Sequence, residues 1–337
     1  MKLIKIEFGN NEYEEFIKKN FHKVYHTFQY KQFIESAFGC NYILYGIIDS
    51  DEIKIVLPVV PVKSLLFGNR LISTAYQEYG GLVGDENYLG ELVEELKKKY
   101  GKDFDYLEIR GGGNAELTKA DLYKRVVLDL DSEENVWRGI QKSKRKAIKK
   151  GKKLLEVKEV KSSEINELYS LYCKNMKKFG SPGYNKKYFL EFYNKLVNKG
   201  LGKIFGSYYN GKLISALFGF CYGDRVHILI AVSDSKFQKY RHSDIMHWAF
   251  IKWACSKGYS KFDFGRVRED SGQLSFKLKW GGEVKELPSY YSLWKIKEVP
   301  HHDPHNGKFS LLVKIWRILP LWLTKIIGMP LRKKLGI

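Results

Sequence analysis

One order of elements, met twice, limits what this chain can fold into. Residues 42–49 and 53–62 are apolar runs flanking Ser50-Asp51-Glu52, the pattern of a hairpin. After a loop containing Gly68, a further run reaches Tyr79-Gly80-Gly81. A helix over 87–100 then feeds a strand over 104–110, which Gly111-Gly112-Gly113 stops. The second half repeats the order: 203–209, a turn at Asn210-Gly211, 212–222, a third strand over 225–232, a helix over 244–257, and a strand at Phe262. Phe104-Asp105 and Phe262-Asp263 stand 158 positions apart, and Asp51-Glu52 and Asn210-Gly211 stand 159 apart. Two copies of one strand–strand–helix–strand unit account for that constant spacing. The expectation is an α/β protein with a duplicated scaffold. Ahead of the first copy, residues 2–8 alternate as a strand, and helical patterns follow at 12–20 and 28–38. The helix over 244–257 is apolar nearly all round, so it should be buried.

At 337 residues, 44% hydrophobic and 15% aromatic, the chain can fill one large core or two ordinary ones. Its net charge of +20 points to an anionic partner: nucleic acid, a phosphorylated substrate or an acidic membrane face. Cys40, Cys173, Cys221 and Cys255 lie far apart without a CxxC pair, which argues against a disulfide scaffold or zinc cluster and fits a reducing cytosol. The N-terminus reaches acidic residues before a signal-peptide core could form, and no run of about 18 apolar residues follows.

Three stretches carry candidate chemistry. From Tyr259 to Tyr291, a strand ends in Asp263-Phe264-Gly265-Arg266, a polar loop carries Gly272, and Phe276-Lys277-Leu278-Lys279-Trp280-Gly281 follows. Arg266, Arg268 and Lys277 beside Phe276 and Trp280 suit an anionic, partly apolar substrate. Residues 142–153 hold eight basic side chains in twelve. They read as the cationic side of one helix over 133–150, ended by Gly151, with Lys144, Arg145 and Lys149 candidates for phosphate groups. The third stretch, 309–331, is rich in Leu, Ile and Trp but broken by Lys314, Arg317, Pro320, Lys325, Gly328 and Pro330. Leu311, Leu312, Ile315, Trp316, Ile318 and Leu319 fall on one face. An in-plane membrane helix and a helix packed on the body both fit.

Other chemistries find little support. His301-His302-Asp303-Pro304-His305 lacks partner ligands and reads as a polar junction, so no metal is expected. His242 and His247 are five apart and do not share a face as an HExxH pair would; His227, within a strand, reads as a core or edge residue. Walker, dinucleotide-binding and GxSxG signatures are absent. Residues 238–243, QKYRHS, lead into a helix whose first amides could bind an anion. They lack the glycines that would let backbone wrap a coenzyme A pyrophosphate.

Phe262–Arg266, then Gly272, then Phe276–Gly281 make up FDFGR, a glycine and FKxxWG. Together with the basic helix before a glycine, His26-Thr27 and Tyr79-Gly80-Gly81, they resemble the FemAB-like family of aminoacyltransferases. The similarity is greatest to the branch associated with exported-protein and exopolysaccharide loci. It implies tandem GNAT-like subdomains, here 1–121 and 122–300, followed by a basic amphipathic tail, 301–337. It also implies amide formation on an amine of a peptidoglycan-type envelope precursor, phosphorylated or lipid-linked, at the cytoplasmic membrane face, with aminoacyl-tRNA as donor. Phe276-Lys277 falls on the family's Phe-Lys pair, whose lysine would stabilise charge during transfer. Arg266 or Arg268 would hold a phosphate or carboxylate; Asp263 could accept the amine proton, but Asp105 in the matching place of the first copy favours a structural part for it. Trp280, Lys144, Arg145, Lys149 and Tyr79 complete the candidate substrate contacts. Two features depart from the pattern: Tyr30 stands where the family has tryptophan, and no coiled-coil arm is present to grip tRNA. An acyl-CoA-dependent N-acyltransferase on the same fold and a non-catalytic membrane-associated accessory protein are the alternatives. No bound cofactor is expected; aminoacyl-tRNA or acyl-CoA would be a co-substrate.

Overall fold

A computed structural model describes all residues except 21–22, 65–67, 115, 300–306 and 337, so the histidine cluster at 301–305 lies outside the described residues. The chain opens with β1 (Lys2–Ile6), α1 (Asn11–Lys19), α2 (Phe28–Phe38), β2 (Ile43–Asp49), β3 (Glu52–Val62), β4 (Arg70–Ile72) and β5 (Val83–Gly84). Next come α3 (Leu89–Tyr100), β6 (Tyr106–Arg110), β7 (Thr118–Asp129), α4 (Glu133–Gly139), α5 (Lys142–Lys152), β8 (Glu156–Glu159), α6 (Ile165–Phe179) and α7 (Lys186–Lys195). The rest comprises β9 (Gly202–Tyr209), β10 (Lys212–Tyr222), β11 (Arg225–Ser233), α8 (His242–Ser256), β12 (Lys261–Val267), α9 (Gly272–Leu278), β13 (Glu283–Leu293), α10 (Gly307–Ile318) and α11 (Leu321–Leu335).

The chain divides into two compact units. The first holds Met1–Tyr123, Glu286–Asp303 and Leu331–Ile337; the second holds Lys124–Lys285 and Pro304–Pro330. A boundary linear in sequence, at 121/122, therefore differs from the grouping by contacts, which assigns most of β13 to the first unit.

Within the first unit the strands run β1-β2-β3-β4-β6-β13, and within the second β8-β9-β10-β11-β12-β7. The two orders correspond step for step. Each has an antiparallel hairpin, β2–β3 or β9–β10, then an antiparallel neighbour, β4 or β11. Each crosses through a helix to a parallel strand, β6 or β12, and ends on an antiparallel one, β13 or β7. The hairpin turns match as well. Ser50 and Asp51, like Asn210 and Gly211, take positive φ at both central positions, as the tightest hairpin loops require. The structurally equivalent pair is thus Ser50-Asp51 rather than Asp51-Glu52.

Ile47, Ile55, Leu57, Leu71, Leu92, Leu96 and Leu107 are fully buried in the first core. The second gathers Leu217, Phe250, Ile251, Ala254, Phe262 and Trp280. The expected burial of α8 holds at Ile245, Met246, Phe250, Ile251 and Ala254, while Trp248 is half-buried against Trp137.

Four local expectations change. The single basic helix over 133–150 is two helices, because Ile140 and Gln141 are extended and the Gln141 amide donates to the Lys279 carbonyl at 3.1 Å. Gly151 does not end the second of these. It sits buried inside α5, where a Cβ would meet Ile245 at 3.2 Å. The polar stretch after Arg266 is not all loop, since residues 272–278 form α9. The tail is two helices parted at Pro320, and Trp316, read as part of the amphipathic face, is buried instead.

Candidate functional site

The parallel register of β11 and β12 runs from Arg225↔Lys261 to His227↔Asp263 and extends no further among the described residues. There β12 bulges. Gly265 takes φ +74°, its amide donates to Asp263 Oδ1 at 2.9 Å, and the register against β7 shifts between Asp263 and Arg266. Asp263 is wholly buried, and its other oxygen accepts from Arg125 Nη1 at 2.8 Å. Both oxygens are thus engaged in holding the bulge, which is the structural part that its counterpart Asp105 suggested. Asp105 likewise binds chain, its Oδ2 accepting from the Asn69 amide at 2.7 Å.

A cavity of about 550 Å³ lies entirely within the second unit, with Ser233 at the end of β11 on its wall. Helix α5 supplies Lys144, the α8 N-terminus supplies Arg241, His242, Ser243 and Asp244, and α9 supplies Phe276 with Lys279 just after it. Asn175 and Lys178 come from α6. Asn175 ties that helix to the end of β11 through both main-chain groups of Ser233. Lys144, Lys178, Arg241 and Lys279 outnumber Asp244 as charges on the wall, and the amide dipole of α8 adds to the positive potential. The site suits an anion.

Lys144 is the centre of this wall. Its ammonium pairs with Asp244 Oδ1 at 2.5 Å and lies 3.3 Å from the Phe276 ring centroid and 5.3 Å from that of Trp280. The side chain is buried, which corrects the expectation of a solvated phosphate-binding lysine. Burial draws its pKa below the ordinary lysine value, Asp244 opposes that, and Lys279 and Arg241 add to the depression.

Two histidines flank the pair. His247 is buried against Phe264, Phe276 and Trp280, with Nδ1 2.7 Å from the Ser243 carbonyl. Desolvation pushes its pKa down to about 4, against the Ser243 hydrogen bond and with help from Lys144. His242 lines the cavity while 4% exposed, and neither ring nitrogen has a hydrogen-bond partner among the described residues. Burial lowers its pKa too, with Asp244 and Asp234 opposing. A buried imidazole with both nitrogens unmet is costly unless a ligand meets one.

The remaining candidates are placed as follows. Phe276 faces the cavity; Lys277 is not among its lining residues. Lys277 Nζ donates to the Gly265 carbonyl at 2.8 Å and the Arg266 carbonyl at 2.9 Å, clasping α9 onto the bulged strand. Trp280 is fully buried beneath Phe276. Arg268 pairs with Asp270, and Arg266 is half-buried on β12; neither lines the cavity. Arg145 reaches the carbonyls of Trp137 and Arg138 at the end of α4, and Lys149 is exposed. Tyr79 is buried in the first unit, edge-on to Tyr25. His227 is a buried residue of β11, as expected. Sequence reasoning located the α8 N-terminus through QKYRHS but missed His242, Asp244 and Lys279 as wall residues. It described no helix at 165–179, so Asn175 and Lys178 had no element to stand on.

Residues 138–278 match the acetyltransferase (GNAT) domain model. Solved structures with the same fold include FemX, at TM-score 0.68 and 12% identity, over 88% of this chain and 98% of that one. L-PGS from Bacillus licheniformis superposes at TM-score 0.55 and 13% identity, over 96% and 98%. A tandem GNAT protein from the clavulanic acid biosynthesis pathway does so at TM-score 0.56 and 9% identity, over 88% and 99%. No curated protein matches by sequence. The chain therefore has the tandem GNAT fold, and the residues that match the acetyltransferase domain model include most of the cavity-bearing part of the second unit.

Proposed function

We propose that this protein is an acyl- or aminoacyltransferase that forms an amide on an amine of an envelope precursor, with chemistry in the cavity at the α8 N-terminus. The observation that carries the reading is the Lys144–Asp244 pair under Phe276, in a cationic cavity large enough for the end of an acyl donor. In the step proposed, the amine attacks the donor carbonyl and a C–N bond forms. The amine proton passes to the neutral His242 ring on the cavity wall, the C–O bond of an aminoacyl ester or the C–S bond of a thioester breaks, and that proton goes on to the departing hydroxyl or thiol. Lys144 holds positive charge where the carbonyl oxygen turns negative, and Asp244 and Phe276 keep its ammonium in place. Asp263 and Lys277 then serve as positioning residues, the one for the bulge of β12 and the other for α9. The resemblance to FemAB-like enzymes supports an aminoacyl donor and a peptidoglycan-type acceptor.

A coenzyme A donor is the second reading, favoured by the match of 138–278 to an acetyltransferase domain. Against it, Arg241 takes φ +61° at the head of α8 and sets a side chain where a pyrophosphate would need open backbone. Titration calorimetry with acetyl-CoA and with a non-hydrolysable aminoacyl-tRNA separates the two. Comparing envelope precursors by mass spectrometry, with and without the protein, then identifies the acceptor. Lys144→Met should lower kcat at least 100-fold with the fold retained. Undiminished turnover in that variant, measured beside Lys277→Met, would remove Lys144 from the chemistry. Absence of any transfer product would favour an accessory protein.

A further inference from the structure

Beyond the transferase cavity, we infer that α10 and α11 form a docking surface for an anionic lipid bilayer, with lipid phosphate groups seated in a basic notch beside them. The two helices are neither a free amphipathic segment nor a fully packed one. One face is committed to the second unit. Trp316, Thr324 and Met329 are buried, Val313 lies against Gly180, and Gly328 approaches the Gly183 backbone so closely that a Cβ would meet its carbonyl at 2.9 Å. Lys325 caps the ring of Tyr169 at 5.6 Å. Packing of that kind fixes which side chains point away.

Those outward side chains are large and apolar. Ile318 is 80% exposed, Trp322 64%, Ile326 63% and Leu311 59%, with Leu312 and Ile315 beside them. An apolar stripe of this size facing water is unusual for a soluble surface and marks an interface. Charge identifies what covers it. Residues 307–337 carry seven Lys and Arg and no Asp or Glu, a composition that repels most basic partners, a second copy of this +20 chain among them. It attracts acidic headgroups, while the apolar side chains enter the acyl boundary. Neither helix is long and apolar enough to cross a membrane, so the geometry is in-plane.

A second observation, independent of the stripe, points the same way. Where α10 meets α6, Lys174, Lys177, Lys178, Arg317 and Leu321 line a notch of about 490 Å³, with no acidic residue among them. Four cations around one open hollow suit phosphate oxygens. Lys178 lines both this notch and the candidate catalytic cavity. A bilayer seated here would bring a lipid-borne acceptor to the edge of the cavity, which rests on the transferase reading; the docking itself does not.

Flotation of the full chain with phosphatidylglycerol-containing or pure phosphatidylcholine vesicles tests the inference without any catalytic readout. The expected result is binding to the anionic vesicles at least tenfold tighter than to the zwitterionic ones, weakened by salt. Ile318→Glu with Trp322→Glu, at exposed positions, should abolish it with an unchanged Tm. Lys174→Gln with Lys177→Gln should weaken it by about fivefold per lysine and reduce the preference for the anionic lipid. Equal binding to both vesicle types, binding by the double glutamate variant, or absence of binding would overturn the inference. So would a wild-type dimer in light scattering that the glutamates dissociate. Free inorganic phosphate competing as strongly as vesicles would mark the notch as an ion site and overturn its lipid assignment.

Discussion

At the scale of single residues, burial sets His242 apart from an ordinary surface histidine. A histidine at the first turn of a helix commonly points to water; here it is closed in beside Asp244, and its nitrogens meet no protein group among the described residues. Desolvation favours the neutral ring, which is the form that can take a proton from an attacking amine. His242→Ala should reduce kcat by about 100-fold with little change in KM, and His242→Gln should not restore it. Equal loss of KM and kcat would point to a binding role. His247 carries a different consequence. Its folded pKa of about 4 lies below the unfolded value near 6.5, so the unfolded chain binds more protons between those limits. Its contribution is complete above pH 6.5 and is lost as pH falls through 4, with a slope of up to about 1.4 kcal/mol per pH unit. Urea titrations at pH 7 and pH 5 should show that fall, and His247→Phe should flatten it.

At the scale of elements, FDFGR and FKxxWG describe a bulge and the helix clasped to it. Gly265 bends β12, Asp263 holds the bend, and Lys277 binds the carbonyls the bend exposes. Gly281 then turns the chain at φ +86°, where a Cβ would meet the Gly139 carbonyl oxygen, at the end of α4, at 3.1 Å. Gly281→Ala adds left-handed backbone strain and a tight contact with the Gly139 carbonyl, so chemical denaturation should show a loss of about 1–3 kcal/mol. A smaller loss at Gly272→Ala, whose Cβ would stand in open space, is the control. The motif was readable as a string, and the turn pair Asn210-Gly211 and the run from Lys212 to Tyr222 were readable as a hairpin, because both depend on local rules. The break at Ile140-Gln141 was not. Nothing in a run of lysines announces it, and its cause is a hydrogen bond to Lys279, far along the chain.

For the whole molecule, duplication comes with an exchange. The strand that completes the first unit, β13, follows the second in sequence, and β7, which completes the second, precedes it. The chain end also returns to the first unit, where the Leu335 carbonyl accepts from Arg70 and the Gly336 carbonyl accepts from the Tyr76 amide. Arg70 is 1% exposed, so removing residues 331–337 takes an acceptor from a buried charge and should cost roughly 1–3 kcal/mol. Differential scanning calorimetry of a chain ending at Pro330 reads this directly; an unchanged transition would mean the end is not structural. Periodicity, turn residues and equal spacing were enough for the sequence to specify two α/β copies, a buried α8 and a basic, amphipathic tail, since each follows from which residues alternate or recur. Which lysine enters the cavity, which histidines lose their water and which face of the tail stays outside were decided only by tertiary packing. Burial and partnership depend on residues distant in the chain, and no local pattern encodes them.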